Sequence, residues 1–210
     1  MENVTDQTSN PFGMRAPCER RCSEDVLAVY GYGDANADFH LIGDHPVVHG
    51  GVRTGVPFTE STAGERLQSV LFDLGFSTRP YDDEPAYENL FSNYLYMCCP
   101  DGEKPKQAEY DRLERYFDAE LRAINAHILL PVGERATAHV LEEYTTLAHK
   151  LNGDVPSLHA SEVRGRGFMV IPVREPADWT GNDRNALVEK LESILASDYR
   201  QTKGVATLVG

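Results

Sequence analysis

Four short apolar runs alternate along this chain with stretches of helical spacing, and that alternation limits the fold more than any other feature. Phe39-His40-Leu41-Ile42 stops at Gly43 and reads as a buried strand. Leu67, Val70, Leu71 and Leu74 then recur at helical intervals over residues 63–75, with Gly75 as the stop. Leu90 to Cys98 reads as a second strand, and residues 106–124 as a helix with Tyr110, Leu113, Phe117, Leu121 and Ile124 on one side. His127 to Val132 is a third strand, followed by a helix over 134–149. Phe168 to Val173 is a fourth, followed by a helix over 183–198 that carries Leu187, Leu191, Ile194 and Leu195. Strand and helix taken in turn predict an α/β fold, a three-layer α/β/α sandwich around a central, mostly parallel, four-stranded sheet. A length of 210 residues suits one domain. The expected division is an irregular segment over 1–25, the domain proper over 26–200 and a tail over 201–210.

In sheets of this kind ligands collect beyond the carboxyl ends of the strands. The informative positions are therefore residues 43–60, 93–100, 133–135 and 174–181. The first of these is a long stretch rich in glycine, histidine and threonine, and loops of that length are functional or disordered. The net charge of −13, with five lysines against fifteen arginines, argues against a general nucleic-acid scaffold, because phosphate binding needs basic surface. It points instead to a salt-rich cytosol such as that of a halophilic archaeon, the plain alternative being an ordinary solvated acidic surface. No apolar run approaches the roughly 20 residues of a membrane helix. The polar start, MENVTDQTSNPFG, lacks the apolar segment of a secretory signal. A cytoplasmic location without a membrane partner is expected.

Beyond the first strand the chain reads Gly43-Asp44-His45-Pro46-Val47-Val48-His49-Gly50-Gly51-Val52-Arg53-Thr54-Gly55-Val56-Pro57-Phe58-Thr59. This resembles the first motif of the iron–sulfur uracil-DNA glycosylases, families four and five of that superfamily, and the fifth above all. Gly43, Pro46, His49, Gly50, Gly51, Arg53, Thr54, Gly55, Phe58, Thr59 and Gly64 fall on its pattern without a gap. Ser92-Asn93 followed by Cys98-Cys99-Pro100-Asp101-Gly102 is similar to the family's Thr-Asn segment, with one extra residue here. Leu129-Leu130-Pro131-Val132-Gly133 resembles a strand end of the family, and Val170 to Pro176 lies where the family has His-Pro-Ser. The resemblance runs from residue 18 to about 180.

The resemblance implies hydrolysis of the N-glycosidic bond of uracil, or of another deaminated base, after the nucleotide has flipped out of DNA. It makes Phe58 the ring on which the base stacks, the alternative being a core phenylalanine. It makes Asn93 the side chain that reads the base, since a carboxamide offers a donor and an acceptor together; the alternative is a residue that ends a strand. Gly43 and Pro46 belong to the same pocket. Asp44, where the fourth family has glutamate, would orient water and stabilise the sugar cation, unless it is a solvated loop acid or a partner for Arg53. The fifth family's aspartate falls on Ser61. Glu175 stands where the family's histidine donates to the departing base, and Ala177 where it has serine. An ionised carboxylate there opposes a developing anion; Arg174, His45 or His49 could supply a donor instead, and without one little or no uracil excision is expected. Asp44, His49 and Glu175 are thus the candidate catalytic residues. Arg53 and Arg174, the latter near Arg164 and Arg166, are candidate phosphate contacts. Two main readings stay open: a base-excision-repair glycosylase acting on DNA as a monomer, and an impaired relative that binds nucleic acid or a nucleobase without cleaving. A nucleotide-binding or metal-sensing module is a third.

Cys18, Cys22, Cys98 and Cys99 complete the candidates. In a reducing cytosol such a set suggests free thiols or metal ligands more than disulfides, and neighbours such as Cys98 and Cys99 rarely pair with each other. The resemblance implies a 4Fe–4S cluster on four thiolates. Cys18 and Cys22 match its first pair with one residue more between them than usual, and Cys98 matches the third ligand. The fourth position falls on Leu113, so the expectation divides between no cofactor and a cluster completed by Cys99.

Overall fold

The computed structural model describes residues 8–145, 155–165, 167–197 and 199. Among them the α/β sandwich is present with a wider sheet than predicted, six strands rather than four. These are β1 (Tyr32–Gly33), β2 (Phe39–Gly43), β3 (Leu90–Tyr94), β4 (Ile128–Pro131), β5 (Val163–Arg164) and β6 (Met169–Val170), in the order β1-β3-β2-β4-β6-β5. The four runs read from the sequence form the parallel centre, β3-β2-β4-β6. The two additions are antiparallel edges of two residues each, too short for a hydrophobic period to show. Strands also stop earlier than their apolar runs do. β3 ends at Tyr94 rather than Cys98, and beyond β6 only a bridge between Val132 and Val173 continues the pairing.

The helices are α1 (Pro46–His49), α2 (Thr62–Asp73), α3 (Gln107–Ile124), α4 (Gly133–Tyr144) and α5 (Gly181–Leu195). Ser61 caps α2 by accepting from the Gly64 N–H at 3.0 Å. Thr180 and Asp183 form a reciprocal cap that starts α5 two residues before the predicted point. The helix expected over 134–149 is described as far as Tyr144. Residues 146–149, Arg166, the first seven residues and the expected tail lie outside the described residues.

Side chains alternate across each strand, and the alternation sorts the core into two layers. Phe39, Leu41, Leu90, Tyr94, Ile128 and Leu130 pack with α2 and α5 on one face. Ile42, Leu129 and Val170 pack with Phe117 and Leu121 of α3 and with Val140 and Leu141 of α4 on the other. From β2 the chain runs through α2 to β3 on one side; from β3 it crosses through α3 to β4 on the other. Loops leaving β2 and β4 therefore diverge to opposite faces, and a crevice opens at the carboxyl ends of those strands.

Candidate active site

β2 ends at Gly43 because nothing larger fits. A Cβ there would lie 2.7 Å from the rings of both Phe58 and Tyr94. Pro46 then starts α1, a single turn whose last residue is His49. Gly50 follows at φ +96°, where a Cβ would strike the Thr59 carbonyl oxygen at 1.7 Å. The loop closes on itself in this way and carries Phe58 at φ 58°, a value rare for a bulky residue. Two bonds hold that conformation. The Phe58 N–H donates to Tyr94 Oη at 2.7 Å, and Gln68 Nε2 donates to the Phe58 carbonyl at 3.0 Å.

His49 is buried and its tautomer is fixed by its neighbours. The Asp44 N–H donates to Nδ1 at 3.0 Å, so the ring proton sits on Nε2, 2.9 Å from Glu175 Oε2. Burial alone would raise the Glu175 carboxyl. The Nε2–H hydrogen bond of His49, together with the Ala177 N–H, instead holds it below the usual carboxylate range. Gly133, at φ +79°, makes room for the pair, since a Cβ there would lie 3.1 Å from Glu175 Oε2. Arg66 of α2 anchors the turn after Glu175 by donating to the carbonyls of Pro176, Ala177 and Trp179 at 2.8, 2.9 and 3.2 Å. Trp179 Nε1 closes the same turn on the Arg174 carbonyl at 2.8 Å. Glu175 also borders a cavity of about 350 Å³ lined by Gly133, Thr137, Pro156, Val173 and Arg174.

Asp44 stands at the mouth of the crevice and accepts a short hydrogen bond from the Tyr110 hydroxyl. Burial and that carboxylate push the Tyr110 hydroxyl well up, so it stays a donor. Arg135 lies over the same ring, 4.4 Å from its centroid. His45 is wholly buried, and neither of its ring nitrogens has a hydrogen-bond partner among the described residues. Its Nε2 is 4.0 Å from Asp44 Oδ2, and burial lowers its pKa, which keeps the ring neutral.

Several expectations need correction. Asn93 does not face Phe58. It sits one residue before Tyr94, and on a strand one residue's shift reverses the face. Its amide points to the α3 layer and donates to Glu120 Oε2 at 3.0 Å. Tyr94 takes the Phe58 side instead, with ring centroids 5.3 Å apart. Phe58 is fully buried, with the rings of His49 and Tyr94 beside it. Asp44 is not the partner of Arg53, which pairs with Glu60 at 2.6 Å while keeping 80 % of its side chain exposed. Arg174 is bonded to Asp183 at 3.0 Å. Ser61 caps α2 and donates to the His49 carbonyl at 2.8 Å.

The free-thiol expectation also fails. Cys18 bonds Cys98 and Cys22 bonds Cys99, and no described cysteine is free. Leu113, at the fourth ligand's place, is fully buried against Cys98 in an apolar cluster. With Leu113 there, the fourth ligand of a four-thiolate centre would have to be Cys99.

Sequence reasoning overlooked Tyr94, Tyr110, Arg66 and Glu120. Tyr94 lies next to Asn93 on the same strand, and only the register shows which of the two faces Phe58. The others meet the site through tertiary contacts that leave no local pattern.

The doubly wound sheet and its crevice place the molecule among α/β proteins that hold a ligand at a topological switch point. The family model described as "Uracil DNA glycosylase superfamily" matches residues 30–195, and the chain belongs to that superfamily. A protein of Pyrobaculum aerophilum named type-5 uracil-DNA glycosylase is 29% identical over 170 residues, covering 78% of this chain and 72% of the relative. One of the same name from Thermus thermophilus is 34% identical over 96 residues, 44% of each chain. A third, from Mycobacterium leprae, is 29% identical over 105 residues, 48% of this chain and 45% of the relative. No helix among the described residues is long and apolar enough to cross a membrane.

Proposed function

We propose that the protein is a DNA N-glycosylase that hydrolyses the bond to uracil or another deaminated base in a flipped nucleotide. The observation that carries this reading is the link from the Asp44 N–H through His49 to Glu175 at the carboxyl ends of the central strands, with the Asp44 carboxylate held by Tyr110. Two carboxylates at one crevice suit a reaction whose transition state places positive charge on the sugar. Asp44, held by Tyr110, orients the attacking water and offsets that charge. Glu175 adds a second negative group, restrained by the Nε2–H of His49. That proton is directed at Glu175, so it is not free for the departing base, and uracil release is slow. Exposed Val47 and Val48 of α1 and the exposed guanidinium of Arg53 form the rim that meets DNA. The protein works as a monomer in the cytoplasm.

A second reading, binding without cleavage, is favoured by the His49 Nε2–H, which is directed at Glu175 rather than at a departing base. One assay separates the two. Uracil-containing single- and double-stranded DNA is incubated with the protein in high potassium chloride, with Asp44→Asn as control. Alkali-labile breaks that disappear in the variant support hydrolysis, and retention of DNA without breaks supports the second reading. Glu175→His restores a donor for the departing base and raises release; wild-type release that is already fast and indifferent to this change contradicts the role given to Glu175.

A further inference from the structure

On the reading that the Phe58 loop walls a base pocket, we propose that Tyr94 is a built-in occupant of that pocket and decides whether a base enters. Tyr94 is the last residue of β3 and pairs directly with Gly43 of β2, so its side chain leaves the sheet at the crevice. It is wholly buried. Its six-membered ring, the size of a pyrimidine, lies against Gly43, 5.3 Å from the Phe58 centroid and 6.1 Å from that of His49.

The hydroxyl completes the likeness. Tyr94 Oη accepts from the Phe58 N–H at 2.7 Å and donates to the Gly50 carbonyl at 3.0 Å. One backbone donor and one backbone acceptor thus converge on a single point. An N–H beside a C=O on the edge of a pyrimidine presents the complementary pair. Buried backbone groups of this kind must be bonded, and Tyr94 does in the closed protein what a base would do in the open one. Asn93 cannot share the task, because its amide is turned to Glu120 on the other face.

A base therefore enters only in the fraction of molecules from which Tyr94 has withdrawn, and its apparent affinity is weakened by that fraction. The test uses the full chain, isotopically labelled, with free uracil as probe and uracil-containing DNA as substrate. Tyr94→Ala and Tyr94→Asn open the pocket, and each is expected to bind uracil at least about tenfold more tightly than wild type, with the Phe58 amide resonance moving on titration. Tyr94→Phe keeps the ring and is the variant expected to fold in any case; it binds as weakly as wild type. Folded Ala or Asn variants indifferent to uracil overturn the proposal, as does a Phe variant that gains affinity. Gained binding without abasic sites supports the proposal and counts against the hydrolytic reading. Fast uracil release by wild type that the Ala variant loses overturns the proposal and leaves the hydrolytic reading standing.

Discussion

The two faces of β3 treat buried polar groups in opposite ways. On the α2 face the Tyr94 hydroxyl both donates and accepts. The carboxylate nearest that face, Glu175, has His49 at 2.9 Å and is held in its charged form. On the α3 face Glu120 is completely buried and takes one bond from Asn93. Its second oxygen reaches only toward the Gly31 backbone, and neither the Asn93 carbonyl oxygen nor the His40 ring makes a bond of good geometry. Burial pushes Glu120 up to about 7 and His40 down to about 4. One face keeps charge by pairing it and the other removes charge by protonation chemistry, which is the cheaper course where no opposite charge is at hand. The contrast separates a region built to present ionised groups from one built to hold an interior together.

The largest effect tests that separation directly. Asp44→Asn is expected to lower base release by about 10²–10⁴-fold, the range for loss of a positioned acid–base group, while stability changes little. Glu120→Gln is expected to leave base release per folded molecule as in wild type. Equal losses in a single-turnover assay would show that the two faces do not divide the work in this way.

The N-terminal segment bears on the contrast, because part of it closes over Glu120. Phe12 packs on Phe91, and the backbone at Gly31 lies against Glu120. Cys18–Cys98 and Cys22–Cys99 tie the segment down across 80 and 77 residues of chain. In the chain-entropy view a loop of that length is worth about 4 kcal/mol, less for the second of two overlapping links. Reduction is expected to lower the unfolding midpoint sharply and to readmit water to Glu120, bringing its pKa down toward 4.5. Mass spectrometry without reductant should find both links; stoichiometric iron in the purified protein would defeat this account.

Glu120 itself gives a smaller effect with a defined sign. Its folded pKa of about 7 exceeds the unfolded 4.5, so the folded state holds the proton more tightly. The stabilisation is complete below pH 4.5 and fades as pH rises through about 7, amounting to about 3 kcal/mol. Glu120→Gln cannot ionise and should lack that decline. Unfolding free energies from urea titrations between pH 4 and 8 should therefore gain on wild type by about that amount as pH rises. Parallel profiles would mean that Glu120 is not protonated in the fold.

Much of this architecture was legible in the chain. Leu41, Leu90, Leu130 and Val170 belong to apolar runs long enough to announce the parallel centre, and α3 announced itself through Leu113, Phe117 and Leu121. The edge strands were not legible, since Tyr32–Gly33 and Val163–Arg164 are pairs with no period to read. At the site, the glycines and Phe58 fixed a loop that the structure folds as a closed unit. Asn93 misled for a physical reason. Identity along a strand carries no face until the register is known, and pairing with Gly43 puts Tyr94, not Asn93, on the Phe58 side. The His49–Glu175 pair spans 126 residues and could be named as candidates but not joined.

The smallest effect closes the comparison from the other face. Glu175 titrates below its ordinary value because His49 stabilises the ionised form, so its contribution has the opposite pH sign to that of Glu120. It is present above the unfolded pKa of 4.5 and is lost as pH falls through the depressed folded value. Glu175→Gln keeps an acceptor for the His49 N–H but carries no charge, and should flatten the acid limb below pH 4.5 while leaving the limb between 4.5 and 7 intact. Glu120→Gln should do the reverse. The two residues lie in different layers and share no partner, so the double variant should show the sum of the two changes. A double variant that departs clearly from additivity would mean that the sheet transmits charge between its faces, and the division drawn above would then be one of geometry without independent electrostatics.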